Sequence, residues 1–131
     1  MKTSIISLLT IFSLSTLIAT PAKSEMIRVA ATKNYDLIYY VNIDSITFDG
    51  NFVEASVNTK HKNPSIYRVS SVTERWKANC SYGSTMYIEA AYYDVGGKLI
   101  SADRRPSGWR VLPLGSVGRG VHNFMCNRPR R

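Results

Sequence analysis

The sequence predicts an α+β domain in which an antiparallel sheet of about six strands carries one helix near the carboxyl end. Short stretches of alternating apolar and polar residues recur between Gly, Asn, Asp and Pro residues, which is typical of strands joined by hairpins. After Ser116 the apolar residues recur at helical spacing instead. The two cysteines are Cys80, in a strand-like stretch, and Cys126, at the end of that helix. A helix attached across a sheet by one disulfide accounts for all three observations.

The amino terminus predicts export. Lys2 precedes an apolar stretch at residues 5–19, and the small residues Ala22 and Ser24 follow. We interpret residues 1–24 as a secretory signal peptide that is cleaved after Ala22 or Ser24. The apolar stretch is shorter than the roughly 20 residues of a membrane-spanning helix, so no transmembrane segment is expected after cleavage. Because no cysteine lies near the cleavage site, we expect a periplasmic or cell-surface protein without a lipid anchor.

The first half of the mature chain predicts three strands: residues 26–32, 37–41 and 52–60. Between the second and third, Asn42 to Ile46 reads as a short connection, with one helical turn as an option. Asp49-Gly50 is a hairpin signal because glycine adopts positive φ without steric cost. In the third strand, Val53, Ala55 and Val57 alternate and should form a buried face.

The second half follows a loop at residues 61–65, where His61 is expected to be solvated. It predicts three further strands: residues 66–80, 85–94 and 98–102. Turns are expected at Tyr82-Gly83 and Gly96-Gly97, and a polar loop at residues 104–108. In the first of these strands, Trp76, Ala78 and Cys80 share one face with Val72. If that face points inward, Cys80 lies beside the helix.

The helix is expected to begin at Ser116, because Pro113 and Gly115 break the chain and Ser116 can cap free backbone N–H groups. One face of this helix collects the apolar residues, and Arg119 and Asn123 are predicted to point away from it. The residues of the apolar face are Val117, Val121, Phe124 and Met125. A helix of about ten residues with two glycines is marginal alone, so it must pack on a larger surface.

Cys80 and Cys126 are interpreted as one disulfide, because the chain is exported and a zinc site needs two more Cys or His ligands at close spacing. Closing the loop contributes about 4 kcal/mol on the chain-entropy model. The alternative, two free thiols with a redox role, has no Cys-x-x-Cys spacing in its favour.

The sequence predicts no catalytic residues, no metal site and no cofactor. His122 lies at the border of the apolar helix face, where a packing role is favoured over that of a general base. The nine acidic residues are scattered, without a calcium-binding cluster or a pair of inward carboxylates. Gly118 and Gly120 are expected to permit close packing of the helix on the sheet, with phosphate binding as the less favoured role.

Arginines form the first candidate binding feature: Arg104, Arg105 and Arg110 surround one loop, and residues 128–131 form a basic tail that is expected to be flexible. Guanidinium groups suit carboxylates, sulfates and phosphates, so acidic glycans or an anionic surface are candidate partners. The formal charge of +8 falls to +6 once Lys2 and Lys23 leave with the signal peptide. The alternatives are a solvated loop and tail, and charge that serves solubility. Export argues against nucleic acid.

Tyrosines form the second candidate feature. Neighbouring residues of a strand face opposite sides, so one member each of Tyr39-Tyr40 and Tyr92-Tyr93 must lie away from the helix. We take Tyr40 and Tyr93 as candidate contacts for a protein partner, because tyrosine supplies contact area and a hydrogen-bonding group. Ordinary cross-strand packing is the alternative. A homodimer could form by pairing of edge strands.

A set of residues recurs here in an order that is known from one family. They are Tyr39 to Asn42, Asp44 to Ile46, Asp49 to Asn51, Val53, Cys80, Tyr92 to Lys98, Trp109, Pro113, Gly115 to Gly118 and Cys126. In this order the chain resembles the surface-adhesin protein E-like domain family of Gram-negative bacteria, over residues 25–127. The resemblance implies a curved antiparallel sheet with its terminal helix tethered by a disulfide. It also implies attachment to host cells and extracellular matrix proteins, although the lipid-anchoring cysteine is absent here.

The expected function is therefore that of an exported, non-enzymatic binding protein that contacts host or extracellular matrix proteins or envelope partners. A periplasmic structural or envelope-maintenance protein with no adhesin role is the alternative. A small hydrolase is the third possibility, and it would need a catalytic group to assemble around His122.

Overall fold

The computed structural model describes residues 25–64 and 68–129, which form an open antiparallel sheet with one helix packed on it. Six strands follow one another in chain order across the sheet, and a two-residue seventh strand pairs with the fifth. The predicted fold class is confirmed. The elements are β1 Met26–Ala31, β2 Leu37–Asp49, β3 Phe52–His61, β4 Ser71–Asn79, β5 Ser84–Tyr93, β6 Leu99–Asp103, β7 Arg110–Val111 and α1 Val117–Cys126.

Four predicted features fall wholly or partly outside the described residues. The signal peptide at residues 1–24 lies outside them, as do residues 130–131 of the basic tail, residue 65 of the predicted loop at residues 61–65, and residues 66–67 at the start of the predicted fourth strand. Within the described part, β4 begins only at Ser71, so that strand is shorter than predicted.

Strand β2 corrects the prediction of a connection at Asn42 to Ile46. The strand continues through this stretch, and its register with β3 shifts between Asn42 and Thr47, as at a β-bulge. The Ser45 hydroxyl donates to the Asn42 carbonyl at 2.6 Å and accepts the Ser56 N–H at 2.8 Å. The polar side chains therefore stabilise an irregular part of the strand, whereas the sequence suggested that the strand ends there.

The core lies between the helix and one face of the sheet. Val53, Ala55 and Val57 of β3 are buried, as the alternating pattern predicted, and Trp76 and Ala78 of β4 lie beside them. From the helix, Val121 and Met125 complete this core, with Val41 of β2. Burial of each large apolar side chain contributes about 1.5–3 kcal/mol, which explains why so short a helix is stable here.

The helix is fixed at both ends. Ser116 is its N-cap, and its hydroxyl accepts the Arg119 N–H at 3.2 Å. At the other end Cys126 forms a disulfide with Cys80, with 5.6 Å between the two Cα atoms. The predicted bridge is confirmed, and it joins the helix to the turn after β4.

The prediction that Arg119 points away from the packed face of the helix is wrong. Arg119 is half-buried against the β4–β5 turn. Its guanidinium donates to the carbonyls of Gly83 at 3.2 Å and Leu112 at 3.1 Å. Gly83 has a φ of +64°, and a Cβ atom there would collide with the Arg119 guanidinium. Arg119 therefore links the first turn of the helix to this turn of the sheet.

Candidate binding grooves

The sheet has a face that carries the helix and an open face. On β2, Val41 is buried under the helix, so its neighbour Tyr40 lies on the open face. On β5 the assignment depends on a register shift: Arg75 pairs with Glu89, but Trp76 pairs with Tyr87, which leaves Ile88 as an extra residue.

This bulge reverses the alternation along β5. Tyr87 packs against the core on the helix side, and Tyr92, opposite Val72, lies on that side too. Tyr93, opposite Ser71, lies on the open face with Tyr40. The pairs of adjacent tyrosines do divide between the faces, as the sequence required.

A groove of about 330 Å³ on the open face contains two of the predicted binding residues, Tyr93 and Arg104. We call it the open-face groove. Arg75 and Glu89 also line it, but Arg75 forms an ion pair with Glu54 at 3.4 Å and donates to the Ser45 carbonyl at 3.3 Å. Within residues 25–64 and 68–129, no carboxylate pairs with Arg104. Its guanidinium remains available to a ligand.

A second groove, of about 260 Å³, contains the other two predicted arginines, Arg105 and Arg110. We call it the helix-side groove, because Tyr87 and Tyr92 line it. Arg105 is engaged by Asp103, with 3.1 Å from its Nε to Oδ1 and 3.1 Å from Nη2 to Oδ2. These hydrogen bonds lower the pKa of Asp103 and raise the pKa of Arg105. The Arg110 guanidinium lies 5.9 Å from the centre of the Tyr87 ring.

Tyr40 lies in neither groove. Its ring is covered by the Lys60 ammonium, 5.1 Å from the ring centre, on the strand beside it. The five predicted binding residues thus occupy three separate places, with two residues in each groove. Arg128, in the predicted flexible tail, lies with its guanidinium 5.4 Å from the centre of the Phe124 ring.

Glu74 is a site residue that the sequence reasoning missed. It is half-buried and lines both grooves. On the helix side it lies next to a row of rings in which Tyr39 and Tyr87 contact Trp76 at centroid distances of 6.5 and 5.0 Å. Burial raises the pKa of Glu74, and the Trp76 Nε1–H, 3.5 Å from Oε1, opposes this weakly. The pKa values of Tyr39 and Tyr87 are raised, first by burial and then by the Glu74 charge.

The signal for Glu74 was present in the sequence. Glu74 shares its strand face with Val72, Trp76 and Ala78, so it is a carboxylate at an inward position of a predicted strand. A charged residue on a buried face is uncommon and often functional.

The sequence pattern of the Surface-adhesin protein E family matches residues 27–127. This chain belongs to the surface-adhesin protein E family. Two solved structures of Haemophilus influenzae protein E have the same fold. One, a second crystal form, is 19% identical with a TM-score of 0.59, over 82% of this chain and 91% of that chain. The other is 20% identical with a TM-score of 0.55, over 82% and 87%. No curated protein sequence matches the chain.

In this member of the protein E family, His122 is a buried packing residue, as predicted. It is 2% exposed, with its Nδ1 3.0 Å from the Thr85 hydroxyl and its Nε2 3.6 Å from the Cys126 sulfur. Burial lowers the pKa of His122, and the Arg119 charge lowers it further. His61 is the last residue of β3, where the sequence suggested a loop.

In residues 25–64 and 68–129, no group of three or more His, Cys, Asp or Glu side chains could hold a metal ion. The helix in these residues is neither long nor apolar enough to cross a membrane.

Proposed function

We propose that this chain is an exported, non-enzymatic binding protein of the adhesin type, which contacts host or extracellular matrix proteins through the open face of its sheet. Membership of the surface-adhesin protein E family supports the general role. The assignment to a surface rests on the open-face groove. Tyr93 and Arg104 both line this groove, and the Arg104 guanidinium has no ion-pair partner in residues 25–64 and 68–129.

The two residue types suit a protein partner. Tyrosine and arginine are enriched among the residues that dominate the binding energy of protein interfaces. The guanidinium of Arg104 can donate two parallel hydrogen bonds to a carboxylate or sulfate group. A partner with an acidic patch is therefore favoured, and binding should weaken as salt rises.

Attachment of the purified mature chain, residues 25–131, to immobilised extracellular matrix proteins tests this proposal. We expect Arg104→Gln and Tyr93→Ala each to weaken binding by about ten-fold, which corresponds to about 1.4 kcal/mol. Arg105→Gln is the matched control, because Asp103 already engages that guanidinium. Equal attachment by the wild-type chain and both open-face variants would show that the groove is not the contact surface.

The location of the protein relative to the outer membrane tests the alternative function. Residues 1–24 supply the proposed export signal. If the exported protein reaches the cell surface, protease treatment of intact cells should digest it. Protection until the outer membrane is permeabilised would favour the periplasmic structural role instead. In that case the family's fold would serve envelope maintenance without adhesion.

A further inference from the structure

Glu74 is a half-buried carboxylate with no ion-pair partner in the described part of the chain. The ion pairs within residues 25–64 and 68–129 join Arg75 to Glu54 and Arg105 to Asp103, and neither involves Glu74. Only the Trp76 indole N–H, 3.5 Å from Oε1, donates to its side chain there. A carboxylate removed from water without a cation is costly, so this position favours the arrival of a positive group.

Aromatic residues line the same groove as this carboxylate. Tyr87 and Tyr92 line the helix-side groove with Glu74, and Trp76 and Tyr39 continue the row of rings towards the helix. The face of an aromatic ring carries negative potential and attracts cations within about 6 Å of its centre. Arg110 already lies 5.9 Å from the Tyr87 ring centre, so the ring has a face that a cation can reach.

The number of free acceptor atoms favours an ammonium over a guanidinium. The Trp76 N–H approaches Oε1 of Glu74, which leaves Oε2 as the fully available oxygen. A guanidinium prefers two parallel oxygens, whereas an ammonium is a compact charge that one oxygen can satisfy. The remaining N–H groups of an ammonium can face the rings or water.

We propose that the helix-side groove binds a primary ammonium group, presented by a lysine side chain of a protein partner, with Glu74 as the counter-charge and Tyr87 and Tyr92 as the ring walls. Tyr87 and Tyr92 place this site on the face of the sheet opposite Tyr93, although Glu74 also lines the open-face groove. Its ligand is a cation, whereas Arg104 favours an anion. It stands whether or not the open face binds matrix proteins.

The test is a titration of the ¹⁵N-labelled mature chain with Nα-acetyl-lysine-N-methylamide, followed by ¹H–¹⁵N NMR. We expect saturable shifts at the amides of Glu74, Tyr87 and Tyr92, with an affinity in the millimolar range that befits one side chain. The norleucine analogue has the same carbon chain without the ammonium and should produce no saturable shift. Absence of saturation with the lysine derivative, or equal binding of the norleucine analogue, would overturn the proposal.

Three variants sharpen the test. Glu74→Gln should weaken binding of the lysine derivative at least ten-fold, and Asp36→Asn, which removes one exposed carboxylate elsewhere, should not. Arg110→Gln should tighten binding, because the Arg110 guanidinium competes for the Tyr87 ring. Undiminished affinity in Glu74→Gln contradicts the site. Should that variant not fold, unchanged or weaker affinity in Arg110→Gln contradicts it equally, because Arg110 is exposed.

Discussion

His122 makes the stability of this domain depend on pH. Its pKa is lowered by burial and by the Arg119 charge, whereas an unfolded histidine titrates near pH 6.5. As the pH falls through about 6.5, the unfolded chain therefore gains a proton that the native chain does not. The contribution to stability is fully present above that pH and decreases below it, until the native imidazole also protonates.

We expect thermal unfolding, followed by circular dichroism between pH 5 and 8, to show a lower midpoint at the acidic end. His122→Gln should flatten this dependence. His61→Gln, which changes the half-buried histidine at the end of β3, should leave it intact. If the unfolding midpoint of His122→Gln still falls towards acidic pH, another group causes the pH dependence.

Glu74 should change the pH dependence of stability in the opposite direction to His122. Its pKa is raised by burial above an ordinary value of 4.5, so the unfolded chain loses its proton at a lower pH than the native chain. The resulting loss of stability grows as the pH rises above about 4.5 and is complete above the native pKa. Glu74→Gln should therefore raise the urea midpoint at pH 7 and leave it nearly unchanged at pH 4. A lower midpoint at pH 7 would show that the charge is stabilised by partners in the native state.

Gly83 combines two requirements, a positive φ and room for the Arg119 guanidinium. Gly83→Ala should lower the free energy of unfolding by about 1–3 kcal/mol, because the new methyl group strains the backbone and displaces Arg119. Gly97→Ala is the matched control, since Gly97 has a φ of +80° but open space around its Cα. The two substitutions should differ in urea denaturation, and equal losses would show that the Arg119 contact adds nothing.

The helix is the element that depends most on its attachments. Ten residues with two glycines do not form a stable isolated helix, and here Ser116, the apolar face and the disulfide hold them in place. The double variant Cys80→Ser/Cys126→Ser should lose about 4 kcal/mol of unfolding free energy, as measured by urea denaturation. A loss below about 1 kcal/mol would show that packing alone positions the helix.

Elements defined by local patterns could be predicted from the sequence. The Asp49-Gly50 hairpin, the buried face of β3 and the helix after Ser116 each follow from a few neighbouring residues. Irregularities could not, because they depend on hydrogen bonds between distant residues. The Ser45 hydroxyl accepts a hydrogen bond from the Ser56 N–H, which ties the irregular part of β2 to β3. The extra residue Ile88 in β5 is seen only in the pairing of β5 with β4.

The same limit applied to the binding residues. Residue types identified Arg104 and Tyr93, but only the β5 register shows that these two side chains share a groove while Arg105 and Arg110 line another. The role of Arg119 was mistaken because its partners, Gly83 and Leu112, are backbone carbonyls, which a sequence pattern does not mark.

At the scale of the whole molecule, the helix packs mainly on β1 to β4 and reaches β5 at its buried start, where His122 lies 3.0 Å from the Thr85 hydroxyl. The later part of β5 lines both grooves. Among the described residues, the Arg104 guanidinium in the open-face groove and the Glu74 carboxylate in the helix-side groove have no ion-pair partner. One end of the sheet thus carries an unpaired guanidinium and an unpaired carboxylate. A partner chain that crosses the β6 edge could contact both.

The disulfide also has a mechanical consequence. Cys80 and Cys126 are 46 positions apart, and the segment between them contains β5, β6, β7 and the helix. When the two ends of the domain are pulled apart, this segment cannot lengthen. About 150 Å of chain is therefore withheld from extension until the bridge is reduced, at about 3.3 Å per residue.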